Sequence, residues 1–314
     1  MDNKKIVVIG GGTGLSVLLR GLKTFSVDIT AIVTVADDGG SSGRLRKELN
    51  IPPPGDVRNV LVALSEVEPL VEQLFQHRFE NGNGLSGHSL GNLLLAGMTS
   101  ITGDFAKGIT ELSRVLNVRG KVLPAANTSI SLHAEMTDGT LVAGESQIPL
   151  VGKQIKRVFL TPEQITPLED SLQAIREADL IVIGPGSLYT SVIPNLLVPQ
   201  ISETIKQAKA KKVYICNAMT QSGETDGYKA SDHVQSIVNH VGQGLLDVVL
   251  VNNHHIPSAI IERYAQEDAE PVINDEETIR SLGLKVIKDY FVHYEGYLLR
   301  HDAKKVSSSL LSLL

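Results

Sequence analysis

Several glycine-rich or polar segments of this chain have the residue types that hold phosphate groups. The first, Gly10-Gly11-Gly12-Thr13-Gly14, follows a short apolar run and precedes a helical pattern. Glycine lets the backbone approach a phosphate, and a helix N-terminus offers unpaired N–H groups. Leu15 stands where a dinucleotide fingerprint has its last glycine, and the P-loop lysine is absent. We predict that Gly10, Gly11, Gly12, Thr13 and Gly14 contact a phosphate or nucleotide; a tight turn is the alternative.

Two adjacent carboxylates, Asp37 and Asp38, open the second segment, and Gly39-Gly40-Ser41-Ser42-Gly43 follows them. An acidic residue near this place binds a ribose hydroxyl in dinucleotide folds. Paired carboxylates can instead hold Mg²⁺ or act as a base. We predict that Asp37 and Asp38 are metal-binding or catalytic residues and that the glycines form a flexible anion cradle. A polar turn that caps a helix is the alternative.

Two further segments carry a basic or titratable side chain near a helix start. Asp56 is predicted to be an N-cap, and Arg58 lies in the first helical turn, where a cation is unfavourable to the helix dipole. A ligand phosphate or carboxylate would explain Arg58, and so would a salt bridge to Asp37 or Asp38. His88 precedes a long apolar helix, and a neutral imidazole can donate or accept a proton. His88 is therefore the third candidate catalytic residue, with a structural histidine as the alternative.

The remaining candidates follow later strands or lie near the C-terminus. Small hydroxyl residues and free N–H groups after the strand at 180–183 suit a phosphate or ribose. In the polar segment at 217–227, Glu224 and Asp226 could contact a metal or sugar hydroxyls. The predicted ligand-binding residues outside the first two segments are Asn92, Gly186, Ser187, Leu188, Asn217, Thr220, Asn252, Tyr264 and Arg300. A structural role is the alternative for Tyr264 and Arg300, which contact a ligand only if the chain folds them over the ligand-binding edge of the sheet.

The strand and helix patterns around these residues predict an α/β fold. Continuous apolar runs at 5–9, 29–35, 180–183, 212–215 and 247–251 indicate strands buried on both faces, and helical patterns alternate with them. We therefore expect a doubly wound, Rossmann-like, mostly parallel sheet, with ligands beyond the carboxyl ends of its strands.

One segment departs from this alternation, because Asp138-Gly139 is typical of a type I′ turn. It predicts an antiparallel β-hairpin near 130–146, inserted in a single domain over residues 1–314. We also predict a strand at 294–300 and a final helix at 307–314.

Composition narrows the class of protein. The 314 residues include 29 Lys and Arg against 35 Asp and Glu, a net charge of −6, so nucleic acid is a poor partner. No run of about 18 apolar residues occurs, which argues against membrane insertion. The apolar run at 6–9 is too short for a signal-peptide core, and a single cysteine allows no intrachain disulfide. We expect a cytoplasmic protein.

The ordered set of motifs resembles the gluconeogenesis factor family (YvcK-like), which is grouped with the 2-phospho-L-lactate transferases. The matching residues are Ile9-Gly10-Gly11-Gly12-Thr13-Gly14-Leu15, Val35-Ala36-Asp37-Asp38-Gly39-Gly40-Ser41-Ser42-Gly43, Gly87-His88-Ser89-Leu90-Gly91-Asn92, Gly184-Pro185-Gly186-Ser187-Leu188-Tyr189-Thr190 and Asn217-Ala218-Met219-Thr220-Gln221-Ser222-Gly223-Glu224-Thr225. The resemblance implies a Rossmann-like fold that binds nucleotides, with UDP-sugars in the gluconeogenesis factor branch. It also implies roles in growth on non-glycolytic carbon sources and in cell shape and wall synthesis.

In the transferase branch, the resemblance implies that the glycine loops hold a guanine nucleotide. The aspartate loop there contacts a deazaflavin acceptor and a divalent metal, so Asp37 takes the acceptor or metal position. The Asp37-Asp38-Gly39-Gly40-Ser41-Ser42-Gly43 segment looks like the gluconeogenesis factor branch instead.

Three functions follow as hypotheses. The first is a regulator that binds a UDP-sugar and changes a surface read by a protein partner. The second is a transferase in which Mg²⁺ on Asp37 and Asp38 stabilises a diphosphate and His88 handles a proton. The third is a nicotinamide dinucleotide protein with Asp37 on the adenosine ribose. Whether the protein is an enzyme stays open here, and a homo-oligomer is compatible with all three.

Overall fold

The computed structural model describes residues 3–66 and 69–314. Its central sheet has seven strands, all parallel, in the order β10-β9-β8-β7-β1-β2-β3. The strands in these residues are β1 (Lys4–Gly10), β2 (Val27–Val33), β3 (Lys121–Pro124), β4 (Ser131–Met136), β5 (Leu141–Ala143), β6 (Ile155–Thr161), β7 (Leu180–Ile183), β8 (Lys211–Ile215), β9 (Val248–Asn252), β10 (Lys285–Asp289), β11 (Val292–Glu295) and β12 (Leu298–His301).

Helices connect the strands of the central sheet. They are α1 (Gly12–Leu22), α2 (Gly40–Leu49), α3 (Gly55–Leu64), α4 (Pro69–Gln76), α5 (Leu90–Thr102), α6 (Phe105–Val115), α7 (Glu169–Glu177), α8 (Ile193–Leu197), α9 (Ile201–Gln207), α10 (Ala230–Val241), α11 (Ser258–Ala265), α12 (Glu276–Ser281) and α13 (Ala303–Leu311). Helix α1 packs against α3 and α13, and α7 packs against α9. None of the helices in the described ranges is long and apolar enough to cross a membrane.

The strand order confirms the doubly wound, Rossmann-like class. The four residues of β7 are all buried, as are the last five of β1, because each strand has neighbours on both sides and helices over its faces. The order reverses between β1 and β7, which pair directly with each other. A crevice opens at such a switch point, beyond the carboxyl ends of the strands.

The predicted hairpin is confirmed, but its surroundings differ from the prediction. Strands β4 and β5 pair across the Asp138-Gly139 turn, and β6 adds a third antiparallel strand on the other side of β4. This three-stranded sheet is separate from the parallel sheet and extends to residue 161. Strand β6 was not predicted.

Three of the predicted segments have a different secondary structure or different end residues in the structure. Residues 40–49 form a helix rather than a flexible cradle, and the buried Ser41, Ser42 and Leu45 lie on its inner face. The segment at 294–300 spans a turn, because β11 and β12 form an antiparallel hairpin around Gly296. The last helix begins at Ala303, earlier than predicted, and its first residue packs against Gly21 of α1.

Candidate functional site

The loops after β1 and β7 pack against each other at the switch point. The Asn195 side-chain amide donates to the carbonyl oxygen of Gly10 at 3.1 Å and to that of Ser191 at 2.8 Å. A Cβ atom on Gly14 would lie 3.3 Å from the Pro185 carbonyl, and one on Gly186 would lie 3.2 Å from the Gly11 carbonyl oxygen. Glycine at these two positions lets the loops approach closely, and a side chain at either one would press on the neighbouring carbonyl group.

Helix α1 begins at Gly12, three residues before the predicted start. Gly12 has φ +68°, a left-handed conformation that favours glycine. A Cβ atom on Gly11 would lie 2.5 Å from an Asp56 carboxylate oxygen and 2.6 Å from the Thr34 methyl group. The exposed Thr13 is thus the first side chain at this helix end that is free to meet a ligand.

A cleft of about 240 Å³ opens beside these loops. It brings together six of the predicted ligand-binding residues, from five separate parts of the sequence. They are Thr13, Gly14, Gly186, Asn217, Tyr264 and Arg300. Seven other lining residues were not among the predicted site residues: Val17, Pro185, Ala218, Met219, Gln221, Leu299 and His301.

Arg300 is the cation of this cleft. Within residues 3–66 and 69–314, its guanidinium makes no hydrogen bond or ion pair with the protein. It lines the same cleft as the N-terminal turn of α1, where the helix dipole favours an anion. The Gly12 N–H of this turn already donates to the Asp56 carboxylate, so a ligand would meet the N–H groups that follow it. A free guanidinium and a helix N-terminus together suit a diphosphate.

Tyr264 holds β12, the strand that contains Arg300, beside the cleft. Its hydroxyl accepts a hydrogen bond from the Leu299 N–H at 3.1 Å and lies 3.4 Å from the Leu299 carbonyl oxygen. The ring also packs on a small apolar cluster that includes Met219, Ile260 and Leu299. Tyr264 therefore lines the cleft and fixes the position of β12.

Two polar side chains form the inner wall of the cleft. The side-chain carbonyl oxygen of Asn217 is buried without a hydrogen-bond partner in the described part of the chain. The His301 Nε2 atom lies 3.3 Å from the Cys216 carbonyl oxygen, and burial lowers the pKa of His301 to about 4. His301 is neutral near pH 7 and donates to that carbonyl. His301 was not predicted to line the cleft, and only its position next to Arg300 in the sequence could have indicated it.

Nine predicted ligand-binding residues do not line the cleft: Gly10, Gly11, Gly12, Asp37, Asn92, Ser187, Leu188, Thr220 and Asn252. The surroundings of three of them show structural roles. Thr220 is buried, and its hydroxyl oxygen accepts the Glu270 N–H at 2.8 Å. The Asn252 side chain accepts the Phe291 N–H at 3.1 Å and donates to the His254 carbonyl at 3.2 Å. Leu188 is fully buried in the core. Thr220 and Asn252 instead tie together segments that are distant in sequence.

Glu224 lies inside the protein, contrary to the predicted contact with a metal or sugar. Its carboxylate accepts the Tyr189 N–H at 3.1 Å and the Thr190 hydroxyl at 2.9 Å. Burial raises the pKa of Glu224 to about 7. Asp226 closes a local turn by accepting the Gly223 N–H at 2.9 Å. Both carboxylates therefore shape the loop after β8.

Asp37 and Asp38 bond to different parts of the protein. The Asp37 carboxylate accepts the Gly39 N–H at 2.9 Å, and the Asp38 carboxylate accepts the Ser146 N–H at 2.9 Å. Nowhere in the described ranges do three His, Cys, Asp or Glu side chains form a group that could hold a metal ion. Mg²⁺ commonly uses one or two carboxylates together with substrate phosphates, so the residues fit Mg²⁺ only alongside a bound nucleotide.

Two further carboxyl groups, Asp56 and Glu145, lie near Asp37. Asp56 is not an N-cap, because Pro54 occupies that position and Asp56 is already helical. Burial, and then the charge of Asp37, raise the pKa of Asp56 to about 7. Burial, followed by the charges of Asp37 and Asp56, raises the pKa of Glu145 to about 8. Glu145, which lies just after strand β5, was not predicted, because no local pattern marks it.

We expect Glu145→Gln to stabilise the protein at pH 8. The folded-state pKa of Glu145 lies above its unfolded value, so its stability contribution is intact below the unfolded pKa and is lost as pH rises toward about 8. The amide cannot ionise, so the melting temperature should rise by about 2–4 °C for each kcal/mol gained. Thermal unfolding measured at pH 5 and pH 8 tests this.

The matched control is Glu262→Gln, which removes an exposed carboxylate on α11. It should leave the melting temperature unchanged at both pH values. An equal shift for Glu145→Gln at pH 5 and pH 8 would show that ionisation of Glu145 is not the cause.

His88 belongs to a buried polar network that joins α2, α3 and α5. Its Nδ1 atom lies 2.9 Å from the Ser41 hydroxyl, which also accepts the Asn92 side-chain amide at 3.1 Å. Burial lowers the pKa of His88, so the imidazole is neutral near pH 7. His88 and Asn92 are therefore placed together beside the aspartate segment, although neither lines the cleft.

Arg58 completes this network rather than pairing with an aspartate. Its guanidinium donates to the side chains of Ser89, Asn92 and Asn59, with 3.1 Å to Asn92 and 2.7 Å to Asn59. In the described ranges it forms no ion pair with Asp37 or Asp38. The contacts of Arg58 therefore show a role in this polar network, and not the predicted ligand contact or the predicted salt bridge.

Comparison with known proteins agrees with this architecture. Residues 6–292 match the family described as 2-phospho-L-lactate transferase CofD. A gluconeogenesis factor of Halalkalibacterium halodurans is 72% identical over 311 residues, covering 99% of this chain and 97% of that protein. A gluconeogenesis factor of Bacillus subtilis strain 168 is 66% identical over 310 residues, covering 99% of this chain and 98% of that protein.

A crystal structure of a Bacillus halodurans protein of the UPF0052 family superposes with a TM-score of 0.97 at 71% identity, covering 99% of both chains. The family match spans most of this chain, and the relatives match it over nearly their full lengths. The chain therefore belongs to the gluconeogenesis factor family, within the larger 2-phospho-L-lactate transferase CofD family.

Proposed function

We propose that this protein binds a UDP-sugar in the cleft and acts as a ligand-dependent regulator rather than as an enzyme. The observation that carries the proposal is the unpaired Arg300 guanidinium, which shares a cleft with Thr13 at the start of α1. Arg300 is half-buried, and its guanidinium can form charge-assisted hydrogen bonds to an anionic ligand. A diphosphate between Arg300 and α1 is such an anion.

The rest of the ligand is assigned by size and polarity. The cleft holds about 240 Å³, below the roughly 300–1,000 Å³ of pockets that enclose a whole drug-sized ligand. Part of a UDP-sugar must therefore lie outside it. We place the uridine against Tyr264 and Asn217, and the sugar past Gly11 toward Asp37, where carboxylates can accept hydrogen bonds from hydroxyls.

The cellular role follows the relatives' name. We propose that the protein supports growth on non-glycolytic carbon sources, together with cell shape and cell-wall synthesis, from the cytoplasm. A protein partner would read the ligand-bound state. The relatives named gluconeogenesis factor support the first of these roles.

A thermal-shift screen tests the ligand class. The purified protein is heated with UDP-N-acetylglucosamine, UDP-glucose, GDP, GTP or NAD, each with and without Mg²⁺. A ligand at about 100 times its dissociation constant stabilises by about 2.7 kcal/mol. We expect a shift with a UDP-sugar that does not need Mg²⁺ and no consumption of the ligand.

Two results would contradict this proposal. A response to guanine nucleotides that requires Mg²⁺ would favour the metal-dependent transferase, and Asp37 would then be the metal position to test. A response to NAD alone would favour the dinucleotide hypothesis.

A further inference from the structure

We propose that Gln221 is a specificity-determining residue of the cleft and that its side-chain carbonyl oxygen accepts a hydrogen bond from a hydroxyl of the hexosyl group. Glu224 is the positioning residue that turns this oxygen toward the ligand. Gln221 is half-buried and lines the cleft. Its role rests on the proposed function, the binding of a UDP-sugar in the same cleft.

The orientation of the Gln221 amide is fixed by Glu224. The Gln221 Nε2 atom donates to a Glu224 carboxylate oxygen at 3.1 Å. An ionised carboxylate only accepts hydrogen bonds, so the amide must direct its NH2 group at Glu224 and its carbonyl oxygen away from it. Among the residues that the structure describes, none donates to that carbonyl oxygen. Gln221 therefore brings a hydrogen-bond acceptor without a protein donor to the cleft.

The Glu224 carboxylate is itself held on several sides. It accepts the Tyr189 N–H at 3.1 Å and the Thr190 hydroxyl at 2.9 Å, both from the segment that follows β7. Burial raises the pKa of Glu224 to about 7, and the hydrogen bonds from Thr190 and Tyr189 act in the opposite direction. At pH 8 the group is ionised, and every one of these neighbours points a hydrogen at it.

The backbone around Gln221 is fixed as well. The Gln221 N–H donates to the Thr225 hydroxyl oxygen at 2.9 Å. The preceding residue, Thr220, donates its N–H to the Glu270 carbonyl oxygen at 2.7 Å and accepts the Glu270 N–H at 2.8 Å through its hydroxyl. An acceptor on such a fixed turn loses little conformational freedom when a ligand binds. Gln221 is therefore preorganised for recognition.

Gln221 lies on the side of the cleft that faces the aspartate segment. A Cβ atom on Gly223, two residues further on, would collide with the Pro149 carbonyl group. The charge of Glu224 is also one of those that raise the pKa of Glu145, together with the charges of the aspartates. A sugar that extends from the cleft toward the aspartates therefore passes Gln221.

The two sides of the cleft suit different parts of the ligand. Arg300 and the N-terminal turn of α1 donate hydrogen bonds, and phosphate oxygens only accept them. The Gln221 carbonyl oxygen repels phosphate oxygens and suits a group that carries a hydrogen, and a hexosyl group carries several hydroxyls. An acceptor that is left unpaired in the complex costs affinity, so Gln221 favours the nucleotide that bears a sugar.

The test compares UDP-N-acetylglucosamine with UDP by calorimetric titration at pH 8. We expect Gln221→Met to weaken binding of the UDP-sugar by about 3- to 10-fold and binding of UDP by less than about twofold. Retained UDP binding shows that the variant still forms the cleft. The matched control Gln243→Met removes an exposed amide that does not line the cleft, and it should change neither affinity.

A second variant, Gln221→Asn, keeps the polar amide and withdraws it by one methylene group, and it should lose the same preference for the UDP-sugar. Equal losses of UDP and UDP-sugar binding in both variants would place the nucleoside, not the sugar, at Gln221 and overturn the inference. Unchanged affinities would overturn the inference alone. A wild-type protein that binds neither ligand would overturn the proposed function together with it.

Glu224→Gln tests the positioning role. The new amide can donate to the Gln221 carbonyl oxygen and turn the Gln221 NH2 group to the cleft, so the ratio of UDP-sugar affinity to UDP affinity should fall. In a chain that already carries Gln221→Met, the same change should leave this ratio where it is. A further fall in the double variant would show that Glu224 acts without Gln221 and would overturn its positioning role.

Discussion

Arg300→Gln should weaken binding of UDP-N-acetylglucosamine by about 10- to 100-fold and leave the unliganded protein as stable as the wild type. Hydrogen bonds to charged groups contribute about 1.5–3 kcal/mol, and each 1.4 kcal/mol is tenfold in affinity. The guanidinium makes no protein contact in residues 3–66 and 69–314, so its removal leaves no protein group unpaired. Calorimetric titration gives the affinity, and thermal unfolding gives the stability.

Lys304→Gln is the matched control for this variant. Lys304 is an exposed residue of α13 that does not line the cleft, and its loss changes the net charge by the same amount. Its affinity should stay within about twofold of the wild type, since exposed charges contribute little. If Arg300→Gln binds as tightly as Lys304→Gln, the diphosphate does not lie at Arg300.

Arg58→Met should destabilise the protein by about 2–3 kcal/mol. Arg58 is 8% exposed and donates to Ser89, Asn92 and Asn59, so the change leaves three acceptors without their donor. Each unpaired buried group costs about 1–3 kcal/mol, and part of this is offset because the desolvated guanidinium is also removed. The melting temperature should fall by roughly 5–10 °C.

The control for Arg58 is Arg114→Met on α6. Its side chain is 75% exposed and pairs with Glu111 of the same helix, so its loss should change stability by no more than about 0.5 kcal/mol. Ligand binding should weaken in Arg58→Met only if the α2–α3–α5 network supports the site. Equal unfolding temperatures for the two variants would mean that the Arg58 network does not hold these helices together.

The fold class could be read from the sequence because its signals are local. Strands such as β7 and β1 are buried on both faces, so their residues are continuously apolar, and the helices between them have a different period. The Asp138-Gly139 turn is also local chemistry. The elements that were missed have weak local signals. Strand β3 has four residues and ends in Pro124 at a sheet edge, and α2 begins with Gly40-Ser41-Ser42-Gly43.

Tertiary contacts stabilise α2 where propensity does not. The Gly43 N–H donates to the Gly39 carbonyl oxygen at 3.0 Å, and a Cβ atom on Gly43 would collide with the Asp38 carbonyl oxygen. Ser41 is held by His88 and Asn92 from a distant part of the chain. This segment is rich in glycine and serine, and it is helical because contacts with distant parts of the chain stabilise the helix.

The residues of the candidate site also divide into those that local sequence patterns predict and those that only tertiary contacts place. Residue types and their positions after parallel strands were sufficient to name Thr13, Gly186 and Asn217, because parallel strands deliver their carboxyl ends to one edge. Tyr264 on α11 and Arg300 on the antiparallel strand β12 follow no such rule, and only the tertiary structure places them beside the cleft. The sequence by itself determined the doubly wound sheet and the edge of the sheet at which the candidate cleft lies. Both follow from periodicity and chain direction.

Only the tertiary structure decided which polar side chains are free to act. Among the residues that the structure describes, Arg300 has no hydrogen bond or ion pair, whereas Arg58, Thr220, Asn252 and Glu224 are hydrogen-bonded to protein groups. Ser146 and Asp38, which position the loop of Glu145 over the aspartates, are 108 residues apart. Hydrogen-bond satisfaction and electrostatic repulsion depend on distances across the folded chain, and residue order does not encode those distances locally.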